Sequence, residues 1–356
     1  MSCCTAIALS GGVDSLVAAA LLKDLGHHVI ALHFLTGYEK PADPTGTGRG
    51  AGLDQMRAKL APLADQLDIP LYIIDLNREF KSLVVDYFVR TYAAGRTPNP
   101  CLICNPSIKF DLLLNRAADW GAERIATGHY ARIHKRPGSP CRLLRGTDPV
   151  KDQSYFLARL RQNQLKKTIL PLGAMTKDQT RQAAKDRGLR PAVAQESQDV
   201  CFIRNSSYAE FLLNQEGFTV RPGPIEDTAG RTIGRHQGLY RYTVGQRRGI
   251  NCPAARPYYV VRLDPARNCL VVGDKSDLMA KGCEVTQVNW IVAPPRQPIE
   301  AQVQVRYRHK AAPATIIPEA DHSARVIFET PEAAVTPGQG AVFFQGEEVL
   351  GGGWIQ

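Results

Sequence analysis

The 356-residue sequence lacks several features that would assign it to common protein classes. No apolar run approaches the length of a membrane span, and no basic segment at the N-terminus leads into a long apolar one. The sequence has one C-x-x-C pair, at residues 101–104, but no second C-x-x-C or H-x-x-H pair that would complete a zinc site. Its nine cysteines also do not form the pattern of a small disulfide scaffold. Internal repeats and low-complexity tracts are also missing. The lack of a membrane span and of such an N-terminal segment predicts a cytoplasmic protein with no membrane association.

The length and composition bound the architecture. A chain of 356 residues is too long for one ordinary core and predicts two or three domains. Its 44% hydrophobic and 22% charged residues are typical of a globular protein. Lys and Arg number 44 against 34 for Asp and Glu, an excess that favours association with polyanions but is weak evidence for nucleic-acid binding.

The first turn of the chain carries the strongest signal. The apolar run Thr5–Leu9 predicts a buried strand, which breaks into Ser10-Gly11-Gly12-Val13-Asp14-Ser15. Apolar residues at helical spacing follow and end at Gly26. A strand, a glycine-rich turn and a helix start bring several backbone N–H groups and the positive end of a helix dipole to one point, and this predicts a phosphate site.

Each residue type in this turn suits phosphate binding. Gly11 and Gly12 allow close approach of the backbone, Ser10 and Ser15 offer hydroxyl donors, and Asp14 can hold a phosphate-bound Mg²⁺. The hexapeptide lacks the Lys-Ser/Thr ending of the nucleoside-triphosphatase P-loop and the spacing of the dinucleotide fingerprint. The alternative is an ordinary turn built of small residues.

Strands that alternate with helices predict a parallel sheet in the first part of the chain. The predicted strands after the first are Val29–Phe34, Leu71–Leu76 and Arg124–Thr127, and the predicted helices are Leu53–Leu67, Phe80–Tyr92 and Ile108–Ala118. Thr36–Gly52, rich in Gly, Pro and Thr, is expected to form a loop. Because ligands bind beyond the carboxyl ends of parallel strands, one crevice is expected to contain both the Ser10 turn and the turn at residues 127–130.

The pattern of predicted secondary structure changes after about Pro222. Turn signals separate short stretches there, and from about Val285 onward Val-x-Val patterns predict a small antiparallel barrel. The predicted division is a catalytic domain over residues 1–205, a linking domain over 206–284 and a barrel over 285–356.

Two cysteine segments stand out. Cys101-x-x-Cys104 is framed by prolines at 98, 100 and 106, and Cys104 is expected near a helix start, where the dipole and Arg96 or Lys109 favour its thiolate. Half of a zinc site and a redox dithiol are the alternatives. Cys201 follows a polar turn and is expected to lead into an apolar strand ending at Ile203, although a lone cysteine is more often a small buried hydrophobe.

Six segments in this order resemble the motif series of the bacterial tRNA-specific 2-thiouridylases, members of the PP-loop ATP pyrophosphatases. The segments are Ser10–Ser15, Gly95–Phe110, Ala126–Ala131, Lys151–Tyr155, Glu196–Ile203 and Tyr242–Gly249. The resemblance implies an α/β catalytic domain like that of the adenine nucleotide alpha hydrolases, a small linking module and a C-terminal antiparallel β-barrel that contacts tRNA. It also implies adenylylation of the C2 oxygen of the wobble uridine by ATP, followed by displacement of AMP by persulfide sulfur.

The resemblance assigns roles by position. Cys201 matches the residue that receives sulfur from a donor protein as a persulfide, and Cys104 matches its partner nucleophile. Asp14 is the expected Mg²⁺ ligand. The ATP-binding positions are Ala8, Leu9, Ser10, Gly11, Gly12, Val13, Asp14, Ser15, Phe34 and Gly128. Positions matched to the target base and the tRNA anticodon arm are Asn99, Pro100, Cys101, His129, Lys151, Asp152, Gln153, Arg306, Tyr307 and Gln339.

Departures from the family pattern leave alternatives open. Cys101 stands where many members have Asp, so Cys101, Cys104 and Cys201 can also be interpreted as ligands of a 4Fe–4S cluster that carries the sulfur. The usual acidic segment is largely missing between Gly37 and Lys59. The remaining alternatives are thiolation of another tRNA nucleoside, a PP-loop synthetase acting on a small molecule, and a tRNA-binding protein without activity.

Overall fold

The computed structural model describes residues 4–39, 51–193, 200–203, 207–253 and 256–356. These residues form two compact units. The first contains the described parts of Met1–Val84 and Cys101–Arg204, together with Glu347–Val349. The second contains Val85–Pro100, the described part of Asn205–Gly346, and Leu350–Gln356.

The first unit is built on a parallel sheet with the strand order β3-β2-β1-β4-β7. Its strands are β1 (Cys4–Ala8), β2 (His28–Leu35), β3 (Leu71–Asp75), β4 (Arg124–Ala126) and β7 (Thr168–Ile169). An antiparallel hairpin joins β5 (Ala131–His134) to β6 (Arg142–Arg145). The predicted alternation of strands and helices is confirmed.

Most of the α-helices belong to the first unit, and α4 and α9 belong to the second. They are α1 (Val13–Asp24), α2 (Ala51–Asp65), α3 (Asn77–Phe80), α4 (Asp86–Ala93), α5 (Cys101–Cys104), α6 (Leu113–Ala117), α7 (Gln162–Lys167), α8 (Lys177–Asp186) and α9 (Tyr208–Leu213). Lys81–Val85 and Asn105–Leu112 are wider π-helical turns that connect α3 to α4 and α5 to α6.

The core of the first unit lies between the sheet and α1. Ile7 on β1 and Leu16, Val17 and Leu22 on α1 are fully buried, and Leu60 of α2 packs into the same cluster. Because α1 buries residues on nearly all of its faces, it is held by packing rather than by an amphipathic stripe. Each large side chain in this cluster contributes about 1.5–3 kcal/mol through burial.

The second unit contains two β structures. One is a sheet with the order β10-β11-β8-β9, formed by β8 (Gly223–Asp227), β9 (Thr232–His236), β10 (Tyr259–Asp264) and β11 (Cys269–Gly273). The other is an antiparallel barrel, in which β12 and β17 pair and so close the order β12-β15-β14-β13-β16-β17. Its strands are β12 (Met279–Trp290), β13 (Ile299–Gln304), β14 (Ala312–Glu319), β15 (Ser323–Ala333), β16 (Gly340–Gln345) and β17 (Glu348–Ile355). The predicted C-terminal barrel is confirmed.

Two local predictions are wrong. The helix expected to begin at Ile108 begins at Cys101 and continues through the π-helical turn, so both cysteines of the C-x-x-C pair lie on a helix. The strand expected after Cys201 is a turn, in which Ile203 N donates to Val200 O at 3.0 Å. The four residues are too few and too tightly folded to join a sheet.

Parts of other predictions fall on residues 40–50, 194–199 and 204–206, outside the described residues. Within the described part of the chain, no helix is long and apolar enough to span a membrane.

Candidate active site

The glycine-rich turn after β1 is shaped by its own serines. Gly11 has a φ of +90°, a conformation that favours glycine. Ser15 Oγ accepts a hydrogen bond from Ser10 N at 3.2 Å and donates to Gly12 O at 3.0 Å, which folds the turn over the first residues of α1. The predicted strand, turn and helix start are therefore present at the carboxyl end of β1.

Gly128, in the turn after β4, packs directly against this helix start. A Cβ atom at Gly128 would lie 2.9 Å from Asp14 C and 3.0 Å from Ser15 N, so a larger residue has no room there. Phe34 lies near the end of β2, and β2 and β4 both pair with β1. The positions expected to bind ATP thus gather at one edge of the sheet.

Asp14 is held by side chains from two distant parts of the sequence. Lys177 Nζ donates to Asp14 Oδ1 at 2.7 Å and to Oδ2 at 2.8 Å, and the Tyr130 hydroxyl donates to Oδ1 at 2.7 Å. The Lys177 side chain is 6% exposed and that of Asp14 is 32% exposed. In this arrangement both carboxylate oxygens accept from protein donors, and a metal ion would have to open the ion pair.

Lys177 was missed by sequence reasoning. It is the first residue of α8, which is capped by Thr176: Thr176 Oγ1 accepts from Gln179 N at 3.2 Å. Lys177 N also donates to Asp148 Oδ2 at 2.9 Å. A lysine just after a helix cap gives no sign that it is buried, because the ion pair joins residues that are far apart in the sequence.

The three cysteines singled out in the sequence come together in the first unit. Cys201 lies near enough to Cys101 and Cys104 for its charge to raise the pKa of both thiols. Burial is the larger cause and raises the pKa of Cys104 to about 12 and that of Cys101 to about 11. Since Cys101 is exposed at the surface, water offsets part of the rise at this thiol. The expectation of a Cys104 thiolate is therefore wrong for this state.

Lys109 is the cation of this site. Its charge lowers the pKa of Cys101 and Cys104, opposing the effect of burial. Burial first, and then Lys109, hold the pKa of His129 well below its usual range, so the imidazole is neutral at pH 7. His129 Nδ1 lies 2.7 Å from Thr127 Oγ1, and its ring packs beside Phe110 with centroids 5.9 Å apart.

Phe202 anchors the turn that carries Cys201. Its side chain is buried, and its ring centroid lies 5.7 Å from that of Phe80 and 5.9 Å from that of Tyr38. Aromatic packing of this kind fixes a segment that has little regular hydrogen bonding of its own. The turn therefore presents Cys201 at the surface while the next residue enters the core.

Models of known families match nearly the whole chain. Residues 4–205 match the tRNA methyl transferase HUP domain, 210–274 the tRNA methyl transferase PRC-barrel domain, and 280–355 the aminomethyltransferase beta-barrel domain. The tRNA-specific 2-thiouridylase MnmA of Desulfosudis oleivorans is 51% identical over 99% of this chain and 94% of its own length. The chain belongs to the tRNA-specific 2-thiouridylase family.

A second member of the family and one solved structure give further comparisons. The thiouridylase MnmA of Geobacter metallireducens is 47% identical over 98% of this chain and 95% of its own length. The solved U34-tRNA thiolase NcsA from Methanococcus maripaludis is 20% identical, with a TM-score of 0.33 over 56% of this chain and 61% of that chain. A TM-score this low establishes no common fold.

The thiouridylase-family motif Lys151–Gln153 is mostly engaged within the protein. Asp152 Oδ2 accepts from Arg145 NH1 and from Ser154 Oγ, both at 3.0 Å. Gln153 Oε1 accepts from Tyr130 N at 3.0 Å, so this side chain supports the same residue that holds Asp14. Lys151 is the residue of the three that carries a positive charge.

In the second unit, the family positions expected to contact tRNA are used internally as well. The Arg306 guanidinium donates to Val244 O and to Thr336 Oγ1. Gln339 Nε2 donates to the backbone of the segment before Cys101. Tyr307 contributes its backbone oxygen, which accepts from Gln304 Nε2 at 2.7 Å.

Proposed function

We propose that the chain is an ATP-dependent tRNA 2-thiouridylase that acts on the wobble uridine. Membership of the thiouridylase family supports this proposal. The observation that carries it is the meeting of Cys101, Cys104 and Cys201 in the unit that contains the glycine-rich turn. A small-molecule synthetase has no need of these thiols.

The first step activates the base. ATP binds at the turn of Ser10–Ser15 and Gly128, the uridine C2 oxygen attacks the α-phosphorus, and pyrophosphate leaves. The backbone N–H groups at the start of α1 stabilise the charge on the phosphates. Adenylylation turns a poor leaving group at C2 into AMP.

The second step transfers sulfur. A donor protein loads Cys201 as a persulfide, and the Cys104 thiolate attacks Cys201 Sγ. A disulfide forms between the two residues and hydrosulfide leaves, so the persulfide bond is reduced as the Cys104 thiol is oxidised. Hydrosulfide attacks C2 and displaces AMP, and a thiol reductant then regenerates both cysteines.

The charged and ionisable groups of the site suit these two reaction steps. Because burial raises the pKa of Cys104 to about 12, its thiol is protonated near pH 7. This limits reaction with other electrophiles, and the nearby charge of Lys109 favours the thiolate that the transfer needs.

The residues of the site fit a Mg²⁺ ion better than they fit a 4Fe–4S cluster. Mg²⁺ commonly binds one or two carboxylates together with phosphate oxygens, and Asp14 supplies such a carboxylate only after Lys177 moves away. Among the described residues, no three His, Cys, Asp or Glu side chains are placed to hold a metal ion. The three cysteines as arranged do not fit a 4Fe–4S cluster, and we derive no step through one.

Reconstitution tests the proposal. Protein, ATP, Mg²⁺, a donor protein loaded with persulfide sulfur and unmodified tRNA are incubated, the tRNA is digested, and its nucleosides are identified by mass spectrometry. We expect 2-thiouridine from the unaltered protein, and less than about 1% of that yield from Cys104→Ser or Cys201→Ser, because each removes a thiol of the relay. Both variants should bind tRNA normally.

The matched control is Cys252→Ser, which changes a half-buried cysteine of the second unit and should leave the yield unchanged. Full thiolation by either relay variant would contradict the proposed chemistry. A different thionucleoside would identify another tRNA position as the target. Comparing protein purified with and without air tests the cluster alternative.

A further inference from the structure

The segment Arg96–Pro100, which leads directly into Cys101, is short of backbone donors. Pro98 and Pro100 have no N–H group, so the segment cannot be held by a regular backbone ladder. Pro98, Asn99 and Pro100 are nevertheless buried. Something else must satisfy and fix this backbone, and within the second unit the barrel does so.

Gln339, just before β16, supplies two of the missing hydrogen bonds. Its Nε2 donates to Pro98 O at 2.9 Å and to Thr97 O at 3.2 Å. One side-chain amide therefore bridges two successive carbonyl groups. Both hydrogens of the side-chain amide are used in this way.

The backbone beside Gln339 completes the clamp. Thr97 N donates to Pro337 O at 2.9 Å. Gly338 has a φ of +89°, and a Cβ there would lie 2.8 Å from Thr97 O and 2.9 Å from Arg96 Cβ. Glycine is required at this position by both its backbone conformation and the close approach of the two segments.

Further contacts hold the ends of the segment. Thr97 Oγ1 donates to Thr243 Oγ1 at 3.2 Å, Asn99 N donates to the Tyr87 hydroxyl at 3.3 Å, and Arg96 NH1 donates to Gln356 Oε1 at 2.9 Å. These partners come from α4, the loop before β10 and the C-terminus of the chain. The segment is thus fixed by the second unit from several directions.

We infer that Gln339 is a positioning residue for Asn99 and Pro100, and that the barrel sets the placement of this segment through the clamp of residues 337–339. The inference rests on the proposed function and on the match of Asn99 and Pro100 to the family positions that meet the target base. It differs from a role for Gln339 as a tRNA contact, because a positioning residue affects the rate of thiolation and leaves tRNA affinity unchanged.

Gln339→Glu tests this with an almost unchanged shape. A carboxylate cannot donate to the two carbonyl groups and faces them with negative charge. We expect amide exchange of Thr97 to quicken about tenfold or more, and single-turnover thiolation at saturating tRNA to slow about tenfold or more, since small misplacements near reacting groups are costly. The dissociation constant for tRNA should stay within about twofold.

Two further variants separate the possible roles. Gln297→Glu adds the same charge at an exposed position between β12 and β13 and should change neither exchange nor rate. Gln339→Lys restores a donor for the carbonyl groups, so we expect it to recover part of the lost rate. If Gln339→Glu proves unstable, Gln339→Ala removes the donors without adding charge.

The outcomes are distinct. Weaker tRNA binding by Gln339→Glu with a normal rate at saturating tRNA would overturn the inference, and so would unchanged amide exchange at Thr97. Quicker exchange together with a slower rate supports it. If the unaltered protein makes no thiouridine while Gln339→Glu still quickens exchange, the clamp holds and the proposed function fails.

Discussion

Asp14 has different neighbours in the structure from those that its sequence motif predicts. The sequence placed its carboxylate beside phosphates, and the structure surrounds that carboxylate with Lys177 and Tyr130. Tyr130 also lies 3.0 Å from Thr180 Oγ1, which ties the network to α8. The Lys177 ammonium neutralises Asp14, so this carboxylate does not carry an unpaired charge.

Lys177→Met should uncouple this network. Removing the ammonium leaves the partly buried Asp14 carboxylate poorly compensated, so we expect the free energy of unfolding to fall by about 2 kcal/mol, measured by urea denaturation. Because Asp14 is then no longer paired with Lys177, the Mg²⁺ concentration needed for half-maximal AMP formation from ATP should also fall. Adding Asp14→Asn should recover part of the stability, because the unpaired charge is then gone.

The control is Lys185→Met, a substitution at an exposed position of the same helix, α8. It should leave both measurements unchanged. Equal stability of Lys177→Met and the unaltered protein would show that the ion pair contributes little.

The thiols give a second test at this scale. Lys109→Gln removes the cation that lowers the pKa of Cys101, so that pKa should rise above its value of about 11 and the thiolate fraction at a given pH should fall. Alkylation of Cys101 by iodoacetamide, followed by peptide mass spectrometry, should slow by about tenfold for each unit that the pKa rises.

In the unaltered protein this alkylation should still be rising at pH 9, because partial burial raises the pKa of the Cys101 thiol. Lys185→Gln, with the same loss of charge on an exposed side chain, should alkylate normally. A plateau below pH 9 in the unaltered protein would contradict the raised pKa.

Sequence reasoning at the residue scale succeeded where the chemistry is local. The turn of Ser10–Ser15 was recognisable because a strand, small residues and a helix start follow one another directly. Lys177 could not be found, because its partner Asp14 is 163 positions away in the chain. The state of Cys104 was also misjudged, since a helix dipole was considered without the cost of burial.

Among the elements, the helix that begins at Cys101 departs most from expectation. Its prolines suggested a loop, yet Pro106 lies within the π-helical turn Asn105–Leu112, where a wider turn accommodates a ring and a missing donor. The pattern therefore predicted the helix correctly only from Ile108. Local sequence could not indicate that the helix starts at the first cysteine.

The turn of Val200–Ile203 offers a test at the element scale. Phe202→Ala removes the ring that packs on Phe80 and Tyr38, and the buried contact is worth about 3 kcal/mol. We expect the equilibrium constant for the Cys104–Cys201 disulfide, measured against glutathione, to fall about tenfold, because Cys201 is then less well placed.

Phe202→Leu keeps an apolar side chain in the cluster, so the equilibrium constant for the disulfide should fall much less. If Phe202→Ala forms the disulfide as readily as the unaltered protein, the aromatic anchor does not position Cys201.

For the molecule as a whole, regular patterns were the reliable guide. Alternating strands and helices predicted the parallel sheet, and Val-x-Val stretches predicted the barrel strands, since both patterns follow from which faces are buried. The three-domain division at residues 205 and 284 stays a prediction. The membership of Val85–Pro100 in the second unit had no sequence signal, because it depends on contacts with residues more than a hundred positions later.

That membership has a consequence for how the gene can be divided. Phe88 and Tyr92 of α4 pack on Phe211 and Tyr208 of α9, with ring centroids 6.1 and 5.2 Å apart. A polypeptide that ends at residue 205 would keep Phe88 and Tyr92 but lose Phe211 and Tyr208. Its α4 would then expose an apolar patch to water. Shuffling halves between species at that point would therefore join mismatched surfaces, and viable chimaeras should carry residues 85–100 and the C-terminal half from the same parent.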